Sequence, residues 1–403
     1  MTSTLRTAPA PAIPGPRRLP LIGQLSAIWR LNQKPLALLS DQYRRFGSIS
    51  GLTTFENGGQ GTLLAFGPEF NQAVLTNPAL FHNPNLTSFG DSAFTRLLSG
   101  LVTMNGERHR QQRRLIMPAF HKQAVANYHD LMVNYTADML DHWQTADQID
   151  LMLELRQLIL RIVSHSLFGL EDVGKNERLG NLIDQFTRMV NAPQYLLVPP
   201  LRRQLYKLSE QLEGELVTLI NQKRARETPS NDVLSLLIQA HDEDGTRLTD
   251  GELIGQLAIL FIAGHETTVN ALAWTLILLA RYPKLRLALA ETLDSTFDEM
   301  SPTIEQVYGL PLLDHVIKES MRLLPPVVYT ARIGVEAFDL GGYKLAKDSM
   351  VILSHFVTHR MPEIYADPEE FLPERWENLD VSPYHYLPFS AGARMCIGAT
   401  FAS

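Results

Sequence analysis

The chain has 403 residues, 45% of them hydrophobic and 20% charged, which is enough to bury a large core in one or two domains. Its formal net charge of −7 gives no sign of nucleic-acid binding, so no such partner is expected. A single cysteine excludes an internal disulfide and suits a reducing compartment such as the cytoplasm.

Residues 1–25 form a proline-rich lead-in that carries Arg6, Arg17 and Arg18 but no apolar stretch, unlike a signal peptide or an anchor. Strand-like pieces follow at 48–52 and 62–66, with a third at 351–353. Most of the remainder reads as amphipathic helix, for example 131–143, 151–168 and 205–226. Pro193, Pro199 and Pro200 interrupt this pattern and predict a loop. No internal repeat or linker divides the chain, which predicts a single, mostly helical domain over 1–403 with a small β portion.

Residues 253–280 read as one helix of about 42 Å, apolar nearly all the way round and therefore buried. Ala263-Gly264-His265-Glu266-Thr267-Thr268 interrupts it. A helical glycine costs roughly 1 kcal/mol against alanine, and a buried carboxylate costs more unless paired. His265 and Glu266 cut the apolar run too early for a membrane span. A satisfied His–Glu pair in a core helix is the plain alternative. Thr267, directly after the acid, favours a functional site, where such local rule-breaking is expected.

Further on, Glu319 and Arg322 share one helical face, and 323–332 turns from helix to strand. Pro373-Glu374-Arg375-Trp376 follows, with Arg375 53 residues after Arg322. The lone cysteine lies in Phe389-Ser390-Ala391-Gly392-Ala393-Arg394-Met395-Cys396-Ile397-Gly398. A lone thiol is usually a small core residue. Here Gly392 and Gly398 allow close backbone approach or positive φ, and Arg394 places a guanidinium near the sulfur.

That spacing, F-x-x-G-x-R-x-C-x-G, resembles the haem-binding loop of the cytochromes P450. The central interruption is similar to the family pattern A/G-G-x-D/E-T-T, and Pro373 to Trp376 to its P-E-R-F element. The resemblance runs from Pro14-Gly15-Pro16 to the last residue. It implies the P450 fold, mainly α with small β-sheets, and a b-type haem (heme b) whose iron takes the Cys396 thiolate as axial ligand. Phe389, Gly392 and Gly398 would shape the loop. Ala263 and Gly264 would let the long helix bulge to leave room for O2. Thr267 would hydrogen-bond oxygen or an ordered water, and Glu266 would relay protons from solvent. Glu319, Arg322 and Arg375 would form a buried brace. Arg332, Arg394, and His109 with Arg113 would bind the haem propionates, since buried carboxylates demand cationic donors. Arg108, Arg110, Arg113 and Arg114 otherwise read as a solvated basic face, or as a docking patch for an acidic electron carrier.

The function so implied is a haem-thiolate monooxygenase, a soluble, cytoplasmic, bacterial member of the family. It would insert one oxygen atom of O2 into an apolar, lipid-like or terpenoid-like small molecule. Electrons would come from a ferredoxin or flavodoxin-type donor with its reductase, because the chain has no nucleotide-binding glycine motif. Substrate contacts are expected in 81–101, 189–201, 257–268 and 325–330. Three other readings compete: a peroxygenase running on H2O2, a non-catalytic haem sensor, and a cysteine-nucleophile hydrolase with His385 as base. Peroxygenases of the family typically lack the acid–threonine pair. The resemblance also implies a further helix and a β hairpin beyond Ser403, with a reductase after them as an open option. On that expectation the 403-residue chain holds haem poorly.

Overall fold

The helical periodicity of the sequence becomes helix along most of the chain. The computed structural model describes residues 12–16, 20–53, 55–84, 90–145, 147–192, 194–226, 230–297 and 302–402. Two compact units emerge, one of residues 1–84 and 321–395, the other of 85–320 and 396–403.

The first unit is built on a five-stranded sheet. Its strands are β1 (Ile49–Gly51), β2 (Thr62–Ala65), β3 (Phe81–His82), β4 (Thr330–Gly334) and β7 (Met350–Leu353), in the order β1-β2-β7-β4-β3. Only the β2–β7 pairing is parallel, with Leu63 opposite Val351 and Leu64 opposite Ile352. Side chains alternate across a strand, and here both faces are covered. Leu63, Ala65, Val351 and Leu353 pack with Phe70, Val74 and Phe338, while Leu64 and Ile352 pack with Leu38, Leu39 and Val357. That two-sided burial explains why β2 and β7 read as unbroken apolar runs. Strands β5 (Phe338–Leu340) and β6 (Tyr343–Leu345) form a separate hairpin.

The second unit is a helical core. Helix Leu151–Phe168 starts where the Asp150 carboxylate accepts the Leu153 N–H and stops at Gly169 in the left-handed conformation. Leu155, Leu158, Ile159 and Ile162 place its apolar stripe against Leu253, Leu257 and Phe261 of the long helix Asp250–Arg281. Thr249 and Glu252 close a capping box at the start of that helix.

Two expectations need correction. The long helix is buried from Leu253 to Phe261, but Leu272, Trp274, Leu276 and Ile277 beyond are 37–39% exposed among the described residues. Its length and composition would let it cross a membrane, and a third of its most apolar window is buried. Pro199 and Pro200 do not mark a loop but open the helix Pro199–Arg224, where a missing N–H costs nothing. Pro193 lies outside the described residues, as do 1–11 and 17–19 of the lead-in and 85–89 of the first expected substrate segment. Residues from Pro20 onward begin the helix Pro20–Gln33.

Candidate functional site

The cysteine loop owes its path to two unusual backbone conformations. Ser390 has φ 58° and Gly392 φ 69°. A Cβ on Gly392 would meet the Leu75 carbonyl oxygen at 2.4 Å, so both space and φ demand glycine there. Gly398 is different. Its φ is ordinary, and a Cβ would make only van der Waals contact with Cys396 Sγ at 4.0 Å. Gly398 contributes its backbone N–H to the sulfur.

Cys396 is exposed, yet enough protein surrounds the sulfur for burial to push the thiol up from its usual value. The Gly398 N–H and the Arg113 guanidinium both act the other way, towards thiolate. The guanidinium whose charge acts on the thiol is that of Arg113, from helix Gly106–Ile116. The charge of Arg394 is felt instead at His82, whose pKa is lowered first by burial and then by that guanidinium. Phe389 is half-buried just ahead of the turn. Beyond the cysteine, Ile397 and Phe401 pack on the core of the second unit, and the ring of Phe401 meets Tyr128 edge-on.

The long helix stays α-helical across residues 263–268, without the expected bulge. Ala263 is exposed, and a Cβ on Gly264 would meet nothing nearer than Val163 at 4.0 Å. The Thr267 hydroxyl donates to the Ala263 carbonyl at 2.5 Å. Glu266 is not a buried carboxylate. Its side chain is 34% exposed and faces Arg156 of helix Leu151–Phe168 at 3.5 Å, with His265 at 3.8 Å. The His265 ring also contacts the Arg156 carbonyl oxygen at 3.2 Å. No sequence signal singled out Arg156, one of several charges on an amphipathic helix.

Among the cationic candidates, Arg332 lies on β4, 5% exposed, and bonds only the adjacent Ala331 carbonyl at 2.9 Å. Among the described residues it makes no ion pair, and burial pulls its pKa down to about 10. Arg113 likewise makes no ion pair among them and is lowered by burial. His109, on the same helix, is 5% exposed. Arg108 and Arg110 are instead exposed and paired, with Glu252 and Glu107.

The brace residues divide differently. Glu319 and Arg322, on helix Pro311–Leu323, are both fully buried. Arg322 donates to the carbonyls of His359 (2.8 Å), Pro368 (2.7 Å) and Glu370 (3.0 Å). Arg375 donates to those of Ala366 and Asp367. Both arginines thus hold the coil 359–370 by its backbone. His359, which no sequence motif marks, accepts the Leu387 N–H on its ring Nε2 at 2.8 Å, just ahead of the cysteine loop. His385 has its Nδ1 against Ser382 Oγ.

The protein-family model for cytochrome P450 matches residues 13–403. The chain belongs to the cytochrome P450 family. It is 31% identical over 399 residues to a cyclooctat-9-en-7-ol 5-monooxygenase of Streptomyces melanosporofaciens, covering 96% of this chain and 85% of that one. It is 29% identical to a pentalenene oxygenase of Streptomyces avermitilis, covering 96% and 86%. A putative cytochrome P450 135B1 of Mycobacterium tuberculosis is 30% identical, covering 96% and 81%. The solved structure of a retinoic acid bound cyanobacterial CYP120A1 matches with a TM-score of 0.84 at 25% identity, covering 97% of this chain and 89% of that one. This P450 is an oxidoreductase of the monooxygenase class.

The family implies a haem, a group with two carboxylates and an iron that binds thiolate. The residues present fit it. Arg332 and Arg113 are desolvated cations with no carboxylate among the described residues to compensate them. Cys396 is exposed, and against a burial that raises its thiol it has two groups that favour the anion, the Gly398 N–H and Arg113.

Proposed function

We propose that this P450 monooxygenase holds heme b through Cys396 and uses it to insert one atom of O2 into an apolar, terpenoid-like substrate. When bound, the haem supplies oxygen activation, driven by electron donation from the thiolate. The observation that carries the reading is Cys396, an exposed residue whose thiol burial raises while the Gly398 N–H on its sulfur and the Arg113 charge act towards thiolate.

Arg332, Arg113, His109 and Arg394 are the residues that bind the propionates. Phe389, Gly392 and Gly398 shape the loop, and Glu319, Arg322 and Arg375 brace the structure behind it. Ala263 and Gly264 present a helix face with no bulky side chain. Thr267 holds a proton on its hydroxyl, parked on the Ala263 carbonyl and free to swing. Glu266 relays protons from solvent, a role supported by its partial exposure beside Arg156. Substrate meets the apolar segments 81–101, 189–201, 257–268 and 325–330. The terpenoid-like assignment draws on two relatives, the cyclooctat-9-en-7-ol 5-monooxygenase and the pentalenene oxygenase. Electrons come from a ferredoxin or flavodoxin-type donor with its reductase, and the protein works in the cytoplasm. Both units belong to one catalytic domain, since a single family model spans them.

The test supplies haem-loaded protein with a ferredoxin, its reductase, pentalenene and isotope-labelled O2. One labelled oxygen atom per product supports the reading. Equal turnover with H2O2 alone and no reductant would make it a peroxygenase instead.

A further inference from the structure

A glutamine has no ordinary reason to sit in the buried half of the long helix. Gln256 is fully buried between Gly255 and Leu257, where leucine would pack without polar atoms to satisfy. Every polar atom of its side chain is used. Its Oε1 accepts the backbone N–H of Leu101 at 3.0 Å. Its Nε2 donates to Oε1 of Gln112, itself 2% exposed, and lies 3.7 Å from Met104 Sδ. Gln112 in turn donates to Glu252, the capping-box residue that also receives Arg108. A polar chain thus runs from the surface, through two buried amides, to a backbone N–H of the segment 99–104.

The glycines show how closely that segment sits on the helix. A Cβ on Gly100 would come within 2.7 Å of Ile259 and 2.8 Å of the Gly255 carbonyl oxygen. A Cβ on Gly255 would meet the carbonyl oxygens of Ser99 at 2.6 Å and Arg96 at 2.7 Å. Backbone rests on backbone, and the Gln256 amide fixes the register. The segment closes on itself as well, since the N–H groups of Thr103 and Met104 both return to the Gly100 carbonyl.

We propose that Gln256 is a positioning residue for substrate selection: with Gln112 it pins residues 99–104 to the long helix and makes them a fixed wall of the substrate site. The proposal rests on the reading above that 81–101 and 257–268 meet substrate. Gln256 ties the end of the first segment to the start of the second. A wall set by a buried amide resists reshaping by bulky ligands, whereas a wall held by apolar contact alone would slide.

The test uses the haem-loaded protein with Gln256→Met, which keeps volume and removes the acceptor, and Gly100→Ala, which lifts the segment while leaving the amides intact. The probes are imidazole, small enough to ignore the wall, and 4-phenylimidazole, which must fit against it; both are followed by the shift of the haem absorption band. Amide hydrogen exchange at Leu101 is read in parallel. In both variants Leu101 exchanges faster and 4-phenylimidazole binds about tenfold more weakly, while imidazole stays within about twofold. Unchanged exchange at Leu101 in Gln256→Met overturns the brace. Faster exchange with unchanged 4-phenylimidazole affinity overturns its role in selection. A wild-type protein without a thiolate signature under carbon monoxide sinks the haem reading instead, and the exchange rate alone then decides the brace.

Discussion

Arg322 and Arg332 stand ten residues apart, both buried, and they could hardly be used more differently. Arg322 is enclosed by three backbone carbonyls and lies over the Tyr365 ring at 5.1 Å. Arg332 has one carbonyl, that of its own neighbour, and its pKa falls to about 10. A guanidinium satisfied by its own chain stabilises that chain. One left with desolvation and little else lowers stability until an anion arrives. The pair separates a cation satisfied by its own chain from one left with little besides desolvation, without reference to any family.

The sharpest way to break this contrast is to remove each charge in the haem-free protein. Arg322→Leu should cost roughly 3–5 kcal/mol, because the buried carbonyl of His359 and the partly buried hydrogen bonds to Pro368 and Glu370 lose their donor. Arg332→Leu should be neutral or stabilising, by up to about 3 kcal/mol at neutral pH, since a cation whose folded pKa is depressed is carried at a cost. Urea unfolding measures both, and equal losses would erase the distinction. With haem loaded, Arg332→Leu should instead release haem faster than wild type.

Two histidines nearby extend the comparison to pH. His355 is fully buried, with its pKa lowered to about 4 mainly by burial and then by Arg332; His359 is lowered well below its usual value, first by burial. Both are neutral when folded, and the unfolded chain binds their protons first. Stability is therefore complete above about pH 6.5 and is lost as pH falls towards 4, by up to about 3 kcal/mol for His355 alone. His355→Leu should flatten that slope in unfolding curves taken from pH 7 to 4. An unchanged slope would show that His355 is not the group that titrates.

Glu266 offers the opposite case, a charge whose structural worth is small and for which the proposed function gives a chemical role. Its pair with Arg156 is substantially exposed at both ends, so Glu266→Gln should alter stability by less than about 1 kcal/mol. Turnover should drop roughly a hundredfold if the carboxylate carries protons, read as product formed per unit time under saturating reductant. Thr267→Ala should keep consuming reductant while yielding less product. A large stability loss in Glu266→Gln with little change in turnover would make the pair structural.

The sequence made most of the frame readable. Helix 151–168 lies where its periodicity put it, because its apolar stripe has one partner helix and clear caps. Strands 62–66 and 351–353 were found as apolar runs and only their pairing was hidden, since nothing local encodes a parallel partner almost 290 residues away. Pro199 and Pro200 misled because proline ends helices and also begins them. For the candidate site, motif spacing points to Cys396, Thr267 and Glu266. It could not say which arginine the sulfur senses. Arg394 is two residues away in sequence, while Arg113 reaches it only through folding. Gln112 and Gln256 were invisible for the same reason, being single amides whose partners lie 144 residues apart.

The central claim is that Cys396 ligates haem iron as a thiolate, and carbon monoxide reports it directly. Haem-supplemented protein, reduced and exposed to carbon monoxide, should show its main absorption band at the long wavelength that thiolate ligation produces. Cys396→Ser should lose that band even where haem is retained. A wild-type spectrum like that of a histidine-ligated haem, or a band that survives the serine substitution, would contradict the account.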